Sequence, residues 1–210
     1  MSRARKQGRS GRRSLGWTLV LSLFTAAAYW LTPWPISWQI ARLSRPQTLA
    51  FLPERGANPR LNQLVYEMAL AHSRGHDPTN VLRQGVGWGG SHGQRRQLVQ
   101  ASLERNFNIA SRLGLLTPEN LRRLERGRSA LITTGPYQGE LAEVDHIVPV
   151  SLAPELGNEL ANLELMPASL NRRKSNRIGQ RQWAYAQTFH EAGLLTPESM
   201  ERLRVRSQKP

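Results

Sequence analysis

The sequence predicts a mainly helical α+β fold: a small strand–strand–helix unit flanked by helices and preceded by one N-terminal transmembrane or signal helix. Three observations lead there. A charge-free apolar run follows a basic head. Two helical stretches end in nearly the same string, Gly114-Leu115-Leu116-Thr117-Pro118-Glu119 and Gly193-Leu194-Leu195-Thr196-Pro197-Glu198. Between the two copies lie two short strand-like segments and then a run of helix formers.

The 210 residues leave room for one core domain plus an extra segment. Lys and Arg number 29 against 15 Asp and Glu, a net charge of +14. Such an excess favours a polyanionic partner, nucleic acid or an anionic lipid surface. The chain has no cysteine, which excludes disulfides and Cys-x-x-Cys zinc knuckles.

Residues 1–14 form the basic head. Arg3, Arg5, Lys6, Arg9, Arg12 and Arg13 all precede the first acidic residue, Glu54. Residues 15–40 carry no charge, and Leu15 to Leu31 is an apolar run of 17 residues, at the lower edge of what crosses a bilayer core as a helix. Positive charge on its N-terminal side keeps the head cytoplasmic. The segment reads as a transmembrane anchor, with Trp30, Trp34 and Trp38 at the interface, or as a signal cleaved near Ala26-Ala27-Ala28. Pro33 and Pro35 are expected to end it. The rest of the chain then lies outside the cytoplasm, membrane-anchored or, after cleavage, secreted or periplasmic.

A linker over 41–60 leads into a helical region, 61–135. Leu61 to Ser73 has apolar residues at helical spacing, and Gln94 to Leu113 reads as a long helix stopped by Gly114. The Gly-rich stretch from Gly85 to Gly93 lacks the Lys-Ser/Thr ending of a phosphate loop and is expected to be a flexible loop. His72, His76 and His92 have only Asp77 as an acidic companion and do not read as a metal cluster. In each repeated string Thr is a natural N-cap and Pro a natural first helical residue. The repeats are expected to be helix–turn–helix elements that pack around the centre, the second within a C-terminal element over 186–210.

The central unit, 136–185, carries the chemistry. Glu143-Val144-Asp145-His146-Ile147-Val148-Pro149 reads as a strand whose pairing Pro149 stops. After a loop come Asn162-Leu163-Glu164-Leu165-Met166-Pro167, a second strand, and then Asn171-Arg172-Arg173-Lys174-Ser175-Asn176 on a helix. Asp-His-Ile-x-Pro, a later Asn-Leu, and then Asn-x-x-Lys resembles the HNH endonuclease family, whose core is the ββα-metal fold. The resemblance covers Leu141 to Arg177 and rests on three separated elements in the right order.

The resemblance implies His146 as general base, Asp145 and Asn171 as metal ligands, and Asn162 as a brace for the loop that orients the base. The chemistry agrees. Imidazole accepts a proton near neutral pH, and a carboxylate with an amide oxygen suits a hard divalent cation, Mg²⁺ first and Mn²⁺ next. Adjacent strand residues point to opposite faces, so Asp145 and His146 need an irregular strand end to serve one site. Arg172, Arg173, Lys174, Arg177 and Arg181 are expected to hold phosphates without reading bases. Glu143 and Glu164 are expected to be exposed strand carboxylates, ahead of a contact with the metal through water, and His190 structural or solvent-exposed. The expected function is a metal-dependent endonuclease acting on DNA, ahead of RNA, outside the cytoplasm. The alternative is an envelope-anchored protein that binds nucleic acid without cutting it.

Overall fold

Proline placement begins half of the architecture. In the computed structural model, which describes residues 32–48, 56–174 and 177–208, five helices carry Pro at their first or second position, where its missing N–H costs no helical hydrogen bond. The described helices are α1 (Trp34–Ser44), α2 (Pro59–Ser73), α3 (Pro78–Trp88), α4 (Gly93–Arg112), α5 (Pro118–Glu125), α6 (Ala168–Lys174), α7 (Gln180–Glu191) and α8 (Pro197–Ser207). Strands β1 (Ala142–His146) and β2 (Leu163–Pro167) pair antiparallel, with Ala142 opposite Pro167 and His146 opposite Leu163. The class is α+β and mainly helical.

α2 is the hub. Leu61, Leu64, Val65 and Met68, at i, i+3, i+4 and i+7, are at most 1% exposed, and α1, α3, α4 and α5 all pack on this helix. Each such side chain contributes about 1.5–3 kcal/mol by leaving water. α4 joins this layer to the sheet. Its buried Asn106 donates from Nδ2 to the Leu163 carbonyl (2.9 Å) and accepts from the Leu165 N–H at Oδ1 (2.7 Å), so one amide side chain satisfies the outer edge of β2 as a third strand would. On the other edge, the Val144 N–H donates to the Gly56 carbonyl at 2.7 Å.

Two expectations are corrected here. Pro33 and Pro35 start a helix: Pro33 is the N-cap of α1 and Pro35 lies in its first turn. Residues 34–40, expected within the anchor, and 41–44, expected in the linker, therefore belong to one helix whose Ile36, Ser37, Ile40, Ala41, Leu43 and Ser44 are buried. The Gly-rich stretch is also not one loop, since Gly85 to Trp88 continue α3 and Gly93 opens α4. The same contact explains both. A Cβ on Gly85 would lie 2.6 Å from the Ile40 Cβ and 2.7 Å from the Ser37 carbonyl, and one on Gly89 would lie 2.9 Å from the Ala41 carbonyl. Gly85 within α3 and Gly89 at its C-cap, four apart, let α1 approach backbone to backbone.

The basic head, the apolar run Leu15 to Leu31 and the pair Ser175-Asn176 lie outside the described residues. Among the described residues no helix is long and apolar enough to cross a membrane.

The repeated strings fold alike. Gly114 and Gly193 take φ of 66° and 70°, and Leu115 and Leu194 donate 2.8 Å bonds to the carbonyls of Ala110 and Phe189, five residues back. Thr117 and Thr196 both cap at φ −73°, each accepting from the N–H three residues on. Leu124 and Leu203, at equivalent positions, are fully buried, so each copy packs its second helix into the core.

Candidate metal centre

The pleat of β1 sets Glu143 and Asp145 on one face, two residues apart. α6 starts directly after β2, without a loop, and packs across both strands. Its first turn is tied down by the Ser169 N–H, which donates to Glu140 (2.9 Å). Hydrogen bonding from Ser169 holds the Glu140 carboxyl below the usual carboxylate range, against an upward push from desolvation and with smaller pulls from Arg172 and Arg173.

Helical periodicity then brings Asn171 and Lys174, three apart, over the Glu143–Asp145 face. Asn171 Nδ2 donates to Glu143 Oε2 (2.8 Å), and Lys174 Nζ donates to Asp145 Oδ2 (2.5 Å) and to the His146 carbonyl. Both ends of the Lys174–Asp145 pair are well covered, at 14% and 25% side-chain exposure, so the ammonium is the counter-charge of a partly desolvated carboxylate. Gly56, Glu143, Asn171 and Arg172 line a pocket of about 310 Å³ beside this pairing. Gly56 is required there, because at φ 77° its absent Cβ would lie 2.6 Å from Glu143 Cγ.

His146 is the last residue of β1, and the expected irregularity is not found, since the register with β2 is unbroken through His146 opposite Leu163. Its Nε2 is 2.9 Å from the Gly157 carbonyl. A carbonyl only accepts, so Nε2 is the donor of this bond, and in the neutral ring Nδ1 is then the nitrogen with the free lone pair. The loop that supplies Gly157 is braced from within. Asn162, fully buried, accepts from the Val148 N–H at Oδ1 (2.8 Å) and donates from Nδ2 to the Val148 carbonyl (3.0 Å). It is braced from without by Arg60, buried to 2% exposure. Arg60 donates to the carbonyls of Leu43 (3.1 Å), Arg45 (3.1 Å) and Asn158 (3.0 Å), and to Asn158 Oδ1 (2.7 Å). Burial lowers its pKa to about 10, with Glu159 pulling upward and Arg95 downward.

The expected site residues thus divide. Asn171 is bonded to Glu143 and Asp145 to Lys174, His146 at the end of β1 bonds the carbonyl of the adjoining loop, and Asn162 holds that loop. Arg172, Arg173 and Arg177 are exposed. Two members of the expected phosphate track are otherwise engaged: Lys174 is bound to Asp145, and Arg181 makes a two-pronged pair with Glu164, one arm at 2.8 Å. The helix turns Lys174 inward with Asn171 and leaves Arg172 and Arg173 outward. The expectation for the two glutamates is corrected. Glu143 bonds Asn171 and walls the pocket, and Glu164 is only 6% exposed. Arg105 joins Arg181 around Glu164 at 3.4 Å, and both guanidiniums lie 5.5 Å from the Tyr185 ring centroid.

The donors fit a hard cation. Asp145 supplies a carboxylate, and the bond from Nδ2 to Glu143 leaves Asn171 Oδ1 as the amide end that can coordinate. Among the described residues no group of three or more His, Cys, Asp or Glu could hold an ion.

Comparison with protein-family models, curated proteins and solved structures found no match.

The residues that sequence reasoning missed are Arg60, Asn106 and Asn158. A lone Arg in the first turn of a helix and an Asn inside another carry no local mark of their partners.

Proposed function

We propose that the chain is a metal-dependent endonuclease of the HNH type, hydrolysing phosphodiester bonds of DNA. The observation that carries the reading is the strand–loop–strand–helix unit with an oriented histidine at the end of β1, beside a helix that sets an amide and a carboxylate together.

His146 Nδ1, with Nε2 held by the Gly157 carbonyl, takes a proton from the attacking water. The water oxygen bonds to phosphorus as the bond to the 3′ oxygen breaks, leaving a 5′-phosphate and a 3′-hydroxyl once that oxygen is protonated from solvent. Asp145 and Asn171 are the residues that would hold a Mg²⁺ or Mn²⁺ ion, which when bound would supply neutralisation of phosphoryl charge. Arg172, Arg173 and Arg177, exposed beside the pocket, hold neighbouring phosphates through charge alone. Lys174 holds Asp145 and the His146 carbonyl, and so keeps the carboxylate and the end of β1 in place. The basic head and the apolar run Leu15 to Leu31 support membrane anchoring with the nuclease unit outside the cytoplasm.

Plasmid nicking by the full chain in detergent, with Mg²⁺ and with EDTA, tests the reaction. His146→Ala is expected to lower the rate by roughly 10²–10⁴-fold, the usual contribution of a general base, while plasmid binding persists. Equal cleavage by wild type and variant removes His146 from the chemistry. Binding by wild type without Mg²⁺-dependent cleavage makes the chain a nucleic-acid-binding protein instead.

A further inference from the structure

Three large aromatic rings stand out of the surface at one place. Trp34, Trp38 and Trp88 are 63%, 57% and 47% exposed. Trp34 and Trp38 are four apart on α1, on the side opposite its buried Ile36 and Ile40. Trp88 comes from the end of α3, fifty residues on, and meets Trp34 edge to face with centroids 6.0 Å apart. The glycine-mediated contact of α1 with α3 brings the two helix surfaces together beside that meeting. Tryptophan exposed in a group suits a boundary where one side is apolar and the other wet.

The path of the chain selects the boundary. The apolar run ends at Leu31, three residues before Trp34. Three residues reach at most about 10 Å in any conformation, and the interfacial layer outside the hydrocarbon is about 5–8 Å thick. A membrane-spanning run therefore delivers Trp34 to that layer or its edge, and the ring contact carries Trp88 with it. Arg42, exposed one turn beyond Trp38, and exposed Arg45 place positive charge on the headgroup side.

We propose that Trp34, Trp38 and Trp88 form one interfacial platform that seats the domain on the headgroup layer of a bilayer containing anionic lipid. The domain is then held at the surface in a fixed orientation by α1 and α3, without a flexible tether. This rests on the reading of residues 15–31 as a membrane anchor.

The cysteine-free chain permits single nitroxide labels. The full chain carrying Trp38→Cys, Trp88→Cys or, as a control on exposed α8, Val205→Cys is reconstituted into phosphatidylcholine/phosphatidylglycerol vesicles and floated on a density gradient. Collision of each label with oxygen, which enters lipid, and with a water-soluble nickel chelate is then measured. The oxygen-to-nickel ratio is expected to be several-fold higher at 38 and 88 than at 205. Unlabelled chain supplies a second measurement, in which quenching of tryptophan emission by brominated lipid is expected to fall in Trp88→Tyr. A chain that does not float removes the anchor and the platform together. A floating chain whose 88 label favours nickel, with no change of quenching in Trp88→Tyr, overturns the platform and leaves the anchor standing. Shielding of 88 from both reagents, which marks a protein occupant such as a second copy, also overturns it. So does shielding that appears only with added single-stranded oligonucleotide.

Discussion

Asn162 shows what a single side chain does in this site. Both of its polar ends are spent on the backbone of Val148, so it shapes the loop that carries Gly157 and never needs to touch substrate. Asn162→Ala leaves a buried N–H and a buried carbonyl unpaired, a loss of about 2–4 kcal/mol at the usual cost of such groups. Urea unfolding is expected to show that loss. His146→Ala, whose single ring bond is to a loop carbonyl, is expected to lose far less stability and far more cleavage. A variant pair in which stability and cleavage fell together would deny the separate roles of brace and base. Lys174 and Arg181 make a related point. Each carries a charge suited to phosphate, and each is matched within the fold to a carboxylate.

Helices α1 and α3 are matched by what they lack. Gly→Ala inside a helix ordinarily stabilises by up to about 1 kcal/mol. At Gly85 the added methyl meets Ile40 and the Ser37 carbonyl, whereas at Gly87 the nearest atom is the end of Arg96, 4.0 Å away. Gly85→Ala is expected to destabilise by about 1–3 kcal/mol through overpacking, and Gly87→Ala to stabilise, both read by urea unfolding. At the second repeat the deciding contact is a set of hydrogen bonds to a carboxylate. Glu155 accepts from the Thr196 N–H (2.9 Å) and from the hydroxyls of Thr196 and Ser199 at the start of α8. Burial pushes its pKa up, but these donors outweigh it and bring the group to about 2. A depressed acid stabilises above its unfolded pKa, near 4.5, and loses that contribution as pH falls towards 2. The difference in melting temperature between wild type and Glu155→Gln is therefore expected to be constant above pH 4.5 and to vanish by about pH 2.

At the scale of the molecule, Arg60 connects parts that are far apart in sequence. It joins the end of α1 to Asn158, 98 residues away and next to the carbonyl that orients His146. Asn158 Nδ2 returns the tie to the carbonyls of Pro46 (3.0 Å) and Thr48 (3.1 Å). Arg60→Lys keeps the charge and loses the fork, so a stability loss on the order of 3 kcal/mol is expected in urea. Cleavage per folded molecule is expected to fall as well, measured at a temperature where the variant is fully folded. Unchanged cleavage there would mean that Gly157 is held without this tie.

The strand–loop–strand–helix unit was legible because its marks are local: apolar alternation, a proline that stops pairing, helix formers directly after β2. The same holds for the glycine ends and threonine caps of the two repeats, where the chemistry of adjacent residues decides the turn. The sequence by itself thus determined the order of elements around the site and the residue types able to work there. Tertiary structure decided the partners: that Gly85 and Gly89 form a helix contact, that Glu143 belongs to the pocket and Glu164 to an arginine pair, and that Lys174 faces Asp145. It also brought Trp88 to Trp34 and Arg60 to Asn158. Those choices depend on atoms tens of residues away, and a side chain whose partner is distant looks the same in sequence as one facing water.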